Sequence, residues 1–163
     1  MSNRALRGLA ALALSAAALS LVPAAASAAT PTATRAVITP DSISGCTNTT
    51  PPGSWFYSDV VAAEKSTTAI PDSWGKSHDI ARIVCYESSY NPKAENPNGL
   101  YFGLGQMGKS QIADAGVSWS NYWNGTSVHA ARYYQIVALL KYCKTRYGTP
   151  ANAWAHEVAD GWW

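Results

Sequence analysis

The segment from Ser127 to Tyr147 constrains this chain more than any other, because it carries a full set of helix instructions. Ser127 stands at the N-cap, and Ala130, Tyr133, Ile136, Val137, Leu140, Cys143 and Tyr147 recur at three-and-four spacing. Gly148 stands where a C′ glycine belongs, and Thr149-Pro150 reads as the N-cap and first position of another helix ending near Gly161. A helix this long with one apolar face needs other elements to cover it. WFYSDVVAAEK (55–65) supplies a short helix, and Ser73 to Ser88 places Trp74, Ile80, Ile83, Val84 and Glu87 on one face. Asn91-Pro92 stops that helix, since a residue before proline avoids the helical region. A further short helix is expected around Gln111–Ala115. Residues 91–106, NPKAENPNGLYFGLGQ, break the pattern, and Asn98-Gly99 is a type I′ turn signal for a small irregular hairpin. The expected fold class is α+β, mostly helical, with a small β-hairpin/loop region.

All 18 aromatic residues lie at or beyond Trp55, so core and binding surface belong to a domain over 55–163. Residues 29–54, rich in Thr, Pro, Ser and Ala without periodicity, read as a linker or N-terminal arm. Residues 1–28 have the layout of a signal peptide: Arg4 and Arg7, an uncharged apolar run over 9–22, and Ala26-Ser27-Ala28 as a cleavage site. The run is shorter than the roughly 20 residues a membrane span needs, and the arginines are not adjacent, so no twin-arginine route is indicated. Without the leader's two arginines, ten basic side chains face ten acidic ones, and the formal charge of +2 disappears. The expected product is exported, neutral and free of the membrane, and too balanced in charge for a nucleic-acid binder. A monomer is expected.

Cys46, Cys85 and Cys143 are an odd number, which fits one disulfide and one free thiol with three possible pairings. Cys85 and Cys143 both fall on expected core helices, so their pairing is preferred, with Cys46 tying the arm to either one as the alternative. No metal or other cofactor is expected: C-x-x-C is absent, and His78, His129 and His156 are scattered. Gly103 to Ser110 matches the phosphate-loop pattern G-x-x-x-x-G-K-[ST], but a loop-like segment precedes it where a buried strand is required. No G-x-S-x-G elbow occurs. The sequons at Asn48 and Asn124 matter only in a host that glycosylates them.

Chemistry concentrates at Glu87. A carboxylate closes the apolar helix IARIVCYE and faces a loop rich in glycine and aromatic residues. Apolar walls and the negative end of the helix dipole both disfavour its ionised form, the direction a general acid near neutral pH requires. Glycines let the loop backbone approach a ligand closely.

The series Glu87-Ser88, Tyr90-Asn91-Pro92-Lys93-Ala94 and Gly103-Leu104-Gly105-Gln106 resembles the catalytic region of the lytic transglycosylase/lysozyme-like superfamily. Gln135, Tyr142, Arg146-Tyr147-Gly148, Ala151, Trp154 and Gly161-Trp162 are similar to the tail of its small secreted actinobacterial domains, so the likeness spans about 77–163. The resemblance implies a lysozyme-like fold and a cell-wall-associated enzyme whose partner is the peptidoglycan glycan strand. Glu87 would act as acid and then base on the bond between N-acetylmuramic acid and N-acetylglucosamine, giving a 1,6-anhydro product. Ser88 would hydrogen-bond Glu87 or the substrate, and Gly105 and Gln106 would line the groove. Tyr90, Tyr101, Trp119, Trp123, Trp154 and Trp162 are candidate sugar platforms, with Tyr101 and Trp162 expected to be exposed and Tyr142 and Tyr147 expected in the core.

Two alternatives accompany this reading. A hydrolytic lysozyme needs a second carboxylate roughly 5–10 Å away, with Glu95, Asp114 and Asp160 as candidates. A non-catalytic glycan-binding domain would keep the fold without turnover. Met107-Gly108-Lys109 departs from the apolar, proline-containing continuation of the superfamily, and Trp154-Ala155-His156 stands near where Ala-Tyr-Asn is usual. Wall binding by a neutral domain is expected to rest on uncharged sugar contacts and to depend weakly on salt.

Overall fold

A computed structural model describes residues 45–46 and 50–163. The leader, most of the arm and Asn48 lie outside the described residues. The first helix, α1, spans Trp55–Lys65, and a 3-10 helix covers Asp72–Lys76. Four further elements follow in α2 His78–Ser88, α3 Lys109–Asp114, α4 Trp119–Asn124 and α5 Val128–Tyr147, and the last is α6 Pro150–Asp160. The helix expected over 73–88 is thus two elements, and α4 is one that the sequence reading leaves out.

Helix ends follow local chemistry. Ser127 Oγ accepts from the Ala130 N–H at 3.0 Å and Thr149 Oγ1 from the Asn152 N–H at 3.2 Å, while Pro150 occupies the first turn of α6. Gly148 and Gly161 close α5 and α6 at φ of 78° and 75°.

α5 is the centre of the packing, contacted by α1, α3, α4 and α6. Every residue from Gln135 to Leu140 on it is buried. The single apolar face expected from spacing therefore describes only its ends, because neighbours enclose the middle on all sides. α1 is tied to α5 by the buried Asp59, whose Oδ2 accepts from Arg132 Nε at 3.2 Å and whose Oδ1 lies 3.3 Å from His129 Nδ1. α2 packs against α6.

The β component is smaller than expected. Among the described residues there is no sheet, only two antiparallel bridges, Glu95 with Phe102 and Phe102 with Met107. Asn98 does not adopt the positive φ that a type I′ turn demands. Instead Pro97 and Asn98 are central to a turn closed by the Gly99 N–H donating to Asn96 O at 2.8 Å.

The disulfide joins Cys46 to Cys85 with their Cα atoms 5.7 Å apart, and Cys143 is a free, buried thiol. This corrects the preferred Cys85–Cys143 pairing. Cys143 is fully enclosed in the core, whereas Cys85 lies half-buried where the arm can reach it.

Candidate active site

Glu87 stands in the last turn of α2, half-buried. The chain leaves that helix earlier than Pro92 requires, because Ser89 and Tyr90 both take left-handed conformations, at φ of 50° and 61°. Among the described residues the one other non-glycine at positive φ is Gln106, at 45°, in the glycine-rich loop. Each such residue costs about 1–3 kcal/mol, a strain that structures concentrate at functional sites. Tyr90 is held in place by its hydroxyl, which donates to Ala81 O at 3.0 Å, and by edge-on packing on Phe56.

The glycine-rich loop is fixed through Leu104. Its N–H donates to Gln135 Oε1 at 2.9 Å, and its carbonyl accepts from Ser88 Oγ at 2.9 Å. Gln135 is fully buried and donates from Nε2 to Pro92 O at 2.9 Å and Tyr122 O at 3.0 Å. One amide from α5 thereby joins both limbs of the 91–107 segment to α4. Gly103 is needed here, since a Cβ would lie 2.7 Å from Gln135 Cδ, and its φ is 72°.

The rest of the loop is anchored as closely. Gln106 Nε2 donates to Ala94 O at 3.1 Å and Gly103 O at 3.0 Å. Phe102 and Met107 exchange two backbone hydrogen bonds, at 3.2 and 3.0 Å. Trp163 Nε1 donates to Gly105 O at 3.0 Å. The buried Tyr122 hydroxyl donates to Phe102 O at 2.7 Å. Burial raises the Tyr122 phenol above its ordinary range and the nearby negative charge of Glu87 adds to this, while hydrogen bonding with the Met107 backbone opposes it. Tyr122 is therefore a fixed neutral donor to the loop.

Several expected site residues have other roles. Ser88 Oγ lies 2.9 Å from Leu104 O and 3.0 Å from Val84 O, so its one hydroxyl proton is shared between the loop and its own helix. Tyr90 is buried in the core and offers no ring to a sugar. Gly105 is buried against Trp163, and Gln106 spends its amide donors on the loop itself. Trp154 packs half-buried on the core, and so do Tyr142 and Tyr147.

Tyr101 is exposed at 38% on the hairpin, and Trp162 at 37%. Trp162 stands with Arg146 and His156 rather than at the loop, with Arg146 Cζ 4.8 Å from its ring centre. The aromatic residue from the C-terminus that reaches the loop is Trp163. Tyr122, Gln135 and Trp163 are residues whose roles the sequence reading missed. Gln135 carried one signal, as a polar residue directly before the apolar run IVALL.

Of the carboxylates considered beside Glu87, Asp160 lies 3.5 Å from His156 Nε2. Asp114 borders a separate cleft of about 310 Å³ with Ile70, Ala115, Lys141, Tyr142 and Lys144. Glu95 alone belongs to the hairpin, exposed at the Phe102 bridge. Among the described residues no group of three or more His, Cys, Asp or Glu is arranged to hold a metal ion.

Compared with known proteins, the chain matches no protein-family model, no curated protein and no solved structure.

Proposed function

We propose that the chain is an exported enzyme of the lytic transglycosylase/lysozyme-like superfamily that cleaves peptidoglycan with Glu87 as its single acid/base. The observation that carries this reading is the place of Glu87 next to Ser88, which together with Gln135 clamps the glycine-rich loop at Leu104, with the left-handed Ser89, Tyr90 and Gln106 flanking the clamp. Side-chain anchors from three helices hold an irregular segment in one shape, as preorganised sites require. The Cys46–Cys85 disulfide supports export, since such bonds persist in oxidising compartments. Among the described residues no helix is long and apolar enough to cross a membrane.

In this mechanism protonated Glu87 gives its proton to the glycosidic oxygen between N-acetylmuramic acid and N-acetylglucosamine as the bond to C1 breaks. The resulting carboxylate takes the proton of the muramyl 6-hydroxyl. That oxygen then bonds to C1 and forms the 1,6-anhydro ring. Both nucleophile and leaving group belong to the substrate, so one protein carboxylate suffices. Tyr101, exposed on the hairpin, would offer its aromatic face to a pyranose ring.

The test is digestion of purified peptidoglycan by the wild type and by Glu87→Gln, with products read by mass spectrometry. Anhydromuramyl ends should form with the wild type and fall about 10²–10⁴-fold in the variant, the usual worth of a general acid–base group. Reducing ends would assign hydrolysis and direct attention to Glu95. An intact glycan after incubation with folded wild type would overturn the enzyme reading.

A further inference from the structure

Trp119 and Trp123, one turn apart on α4, stack with ring centres 5.7 Å apart and planes 18° from parallel. Phe102 meets both edge-on, at 4.8 and 5.4 Å, which fixes the pair to the hairpin bearing the glycine loop. Each indole carries a lysine. Lys109 Nζ lies 4.6 Å from the Trp119 ring centre, and Lys93 Nζ lies 4.8 Å from that of Trp123 and donates to the Trp123 carbonyl. Both lysines are exposed, and among the described residues neither has a carboxylate within 4.0 Å.

Two cations are thus seated on aromatic rings, without acidic partners, with the glycine-rich loop lying between them in the chain. A sugar stacks on an uncovered indole face, and here ammonium groups occupy positions over the rings. An ammonium has three donors, and a ring face with at most one carbonyl leaves capacity for an anion. In a domain whose charges balance only with these two lysines counted, they do not make the broad basic surface that nucleic acid requires.

We propose that Lys93 and Lys109, on the Trp119–Trp123 ledge, form a subsite for carboxylates of the stem peptides attached to the glycan. The proposal rests on the peptidoglycan reading and adds to it: the preferred substrate is stem-bearing strand rather than bare glycan. Lys109 belongs to the Met107-Gly108-Lys109 stretch that departs from the superfamily pattern, so this preference would be a property of this chain.

The test measures binding to immobilised glycan strands freed of teichoic polymers, either intact or stripped of stems by an amidase, at low and high salt. Cleavage is followed in parallel. The wild type should bind the intact form about tenfold more tightly at low salt, the scale of two surface ion pairs, and lose the difference at high salt. In a Lys93→Gln/Lys109→Gln double variant the ratio should fall to about one, and Lys→Arg at both positions should restore it. A wild-type ratio of one, a ratio unchanged in the double variant, or binding that needs teichoic polymers would overturn the subsite. Stem-dependent binding without any cleavage would leave the subsite standing and sink the enzyme. Cleavage without stem preference would do the reverse.

Discussion

The helical core around α5 and the glycine-rich segment that follows α2 are held together by opposite means. In the core, caps such as Ser127 and Thr149 set the helix ends, and positive φ falls on Gly116, Gly148 and Gly161. Its interior is apolar packing around Ile136, Ala138, Leu139 and Leu140. At the site, α2 ends on two non-glycine residues at positive φ, and the loop keeps its shape through Ser88, Gln106, Tyr122, Gln135 and Trp163. The core follows from its own pattern. The loop depends on groups that other elements extend to it, so its geometry can fail while the helices stay folded.

Gln135→Met gives the largest effect that separates the two regions. The substitution keeps side-chain length but removes three hydrogen bonds and leaves their buried partners unpaired, at about 1–3 kcal/mol each. Ile70→Ala, in the core and away from the loop, should cost a comparable 2–5 kcal/mol or so. Rates per folded molecule, measured well below both unfolding midpoints, should fall about 10²-fold for Gln135→Met, as misplaced catalytic geometry does. They should stay near wild type for Ile70→Ala. Equal rates in the two variants would erase the distinction.

The disulfide tests the border between the regions, since Cys85 lies two residues before Glu87 and Cys46 comes from the arm. With 39 residues separating the cysteines, loop-closure entropy predicts a loss of about 4 kcal/mol on cutting the bond. Cys46→Ser should lower the urea midpoint accordingly while reducing the rate per folded molecule less than Gln135→Met does. The same samples report on Cys143, whose thiol burial pushes up to about 12. It should resist alkylation in the folded, oxidised protein and react only on unfolding.

The two regions were also unequally legible in the sequence. α1, α5 and α6 follow from apolar spacing, Ser and Thr caps and Gly148, because those signals act within a few residues. Glu87 was legible as a carboxylate ending an apolar helix before a glycine-rich loop. The clamp was not, since Gln135 acts on Leu104 from 31 residues away. The end of α2 at Ser88 was placed correctly, but its cause was illegible for a related reason. Pro92 is a sufficient stop, but Ser89 and Tyr90 turn the chain first, and the Tyr90 hydroxyl anchor on Ala81 is a tertiary feature with no local signature. The disulfide was misassigned because helix periodicity locates Cys85 and Cys143 without showing which one the arm meets.

The smallest effect concerns a place where the core resembles the site. Glu64 on α1 is buried at 4% exposure beneath Gly75, where an added Cβ would collide with its carboxylate. Burial raises it above the ordinary 4.5, the charge of Asp72 adds to this, and a hydrogen bond from the Gly75 backbone opposes it. A carboxyl raised in the folded state binds its proton more tightly there than in the unfolded chain. Its contribution is therefore fully present below the unfolded value and is lost as pH rises through the folded one. Thermal midpoints of the wild type should carry that decline as pH rises above 4.5, and Glu64→Gln should flatten it. At neutral pH the variant should be at least as stable, because a glutamine oxygen can still accept from Gly75 without burying a charge. A variant less stable at every pH would mean that Glu64 is held by a demanding polar network, as Gln135 is, and the contrast between the regions would no longer hold on α1.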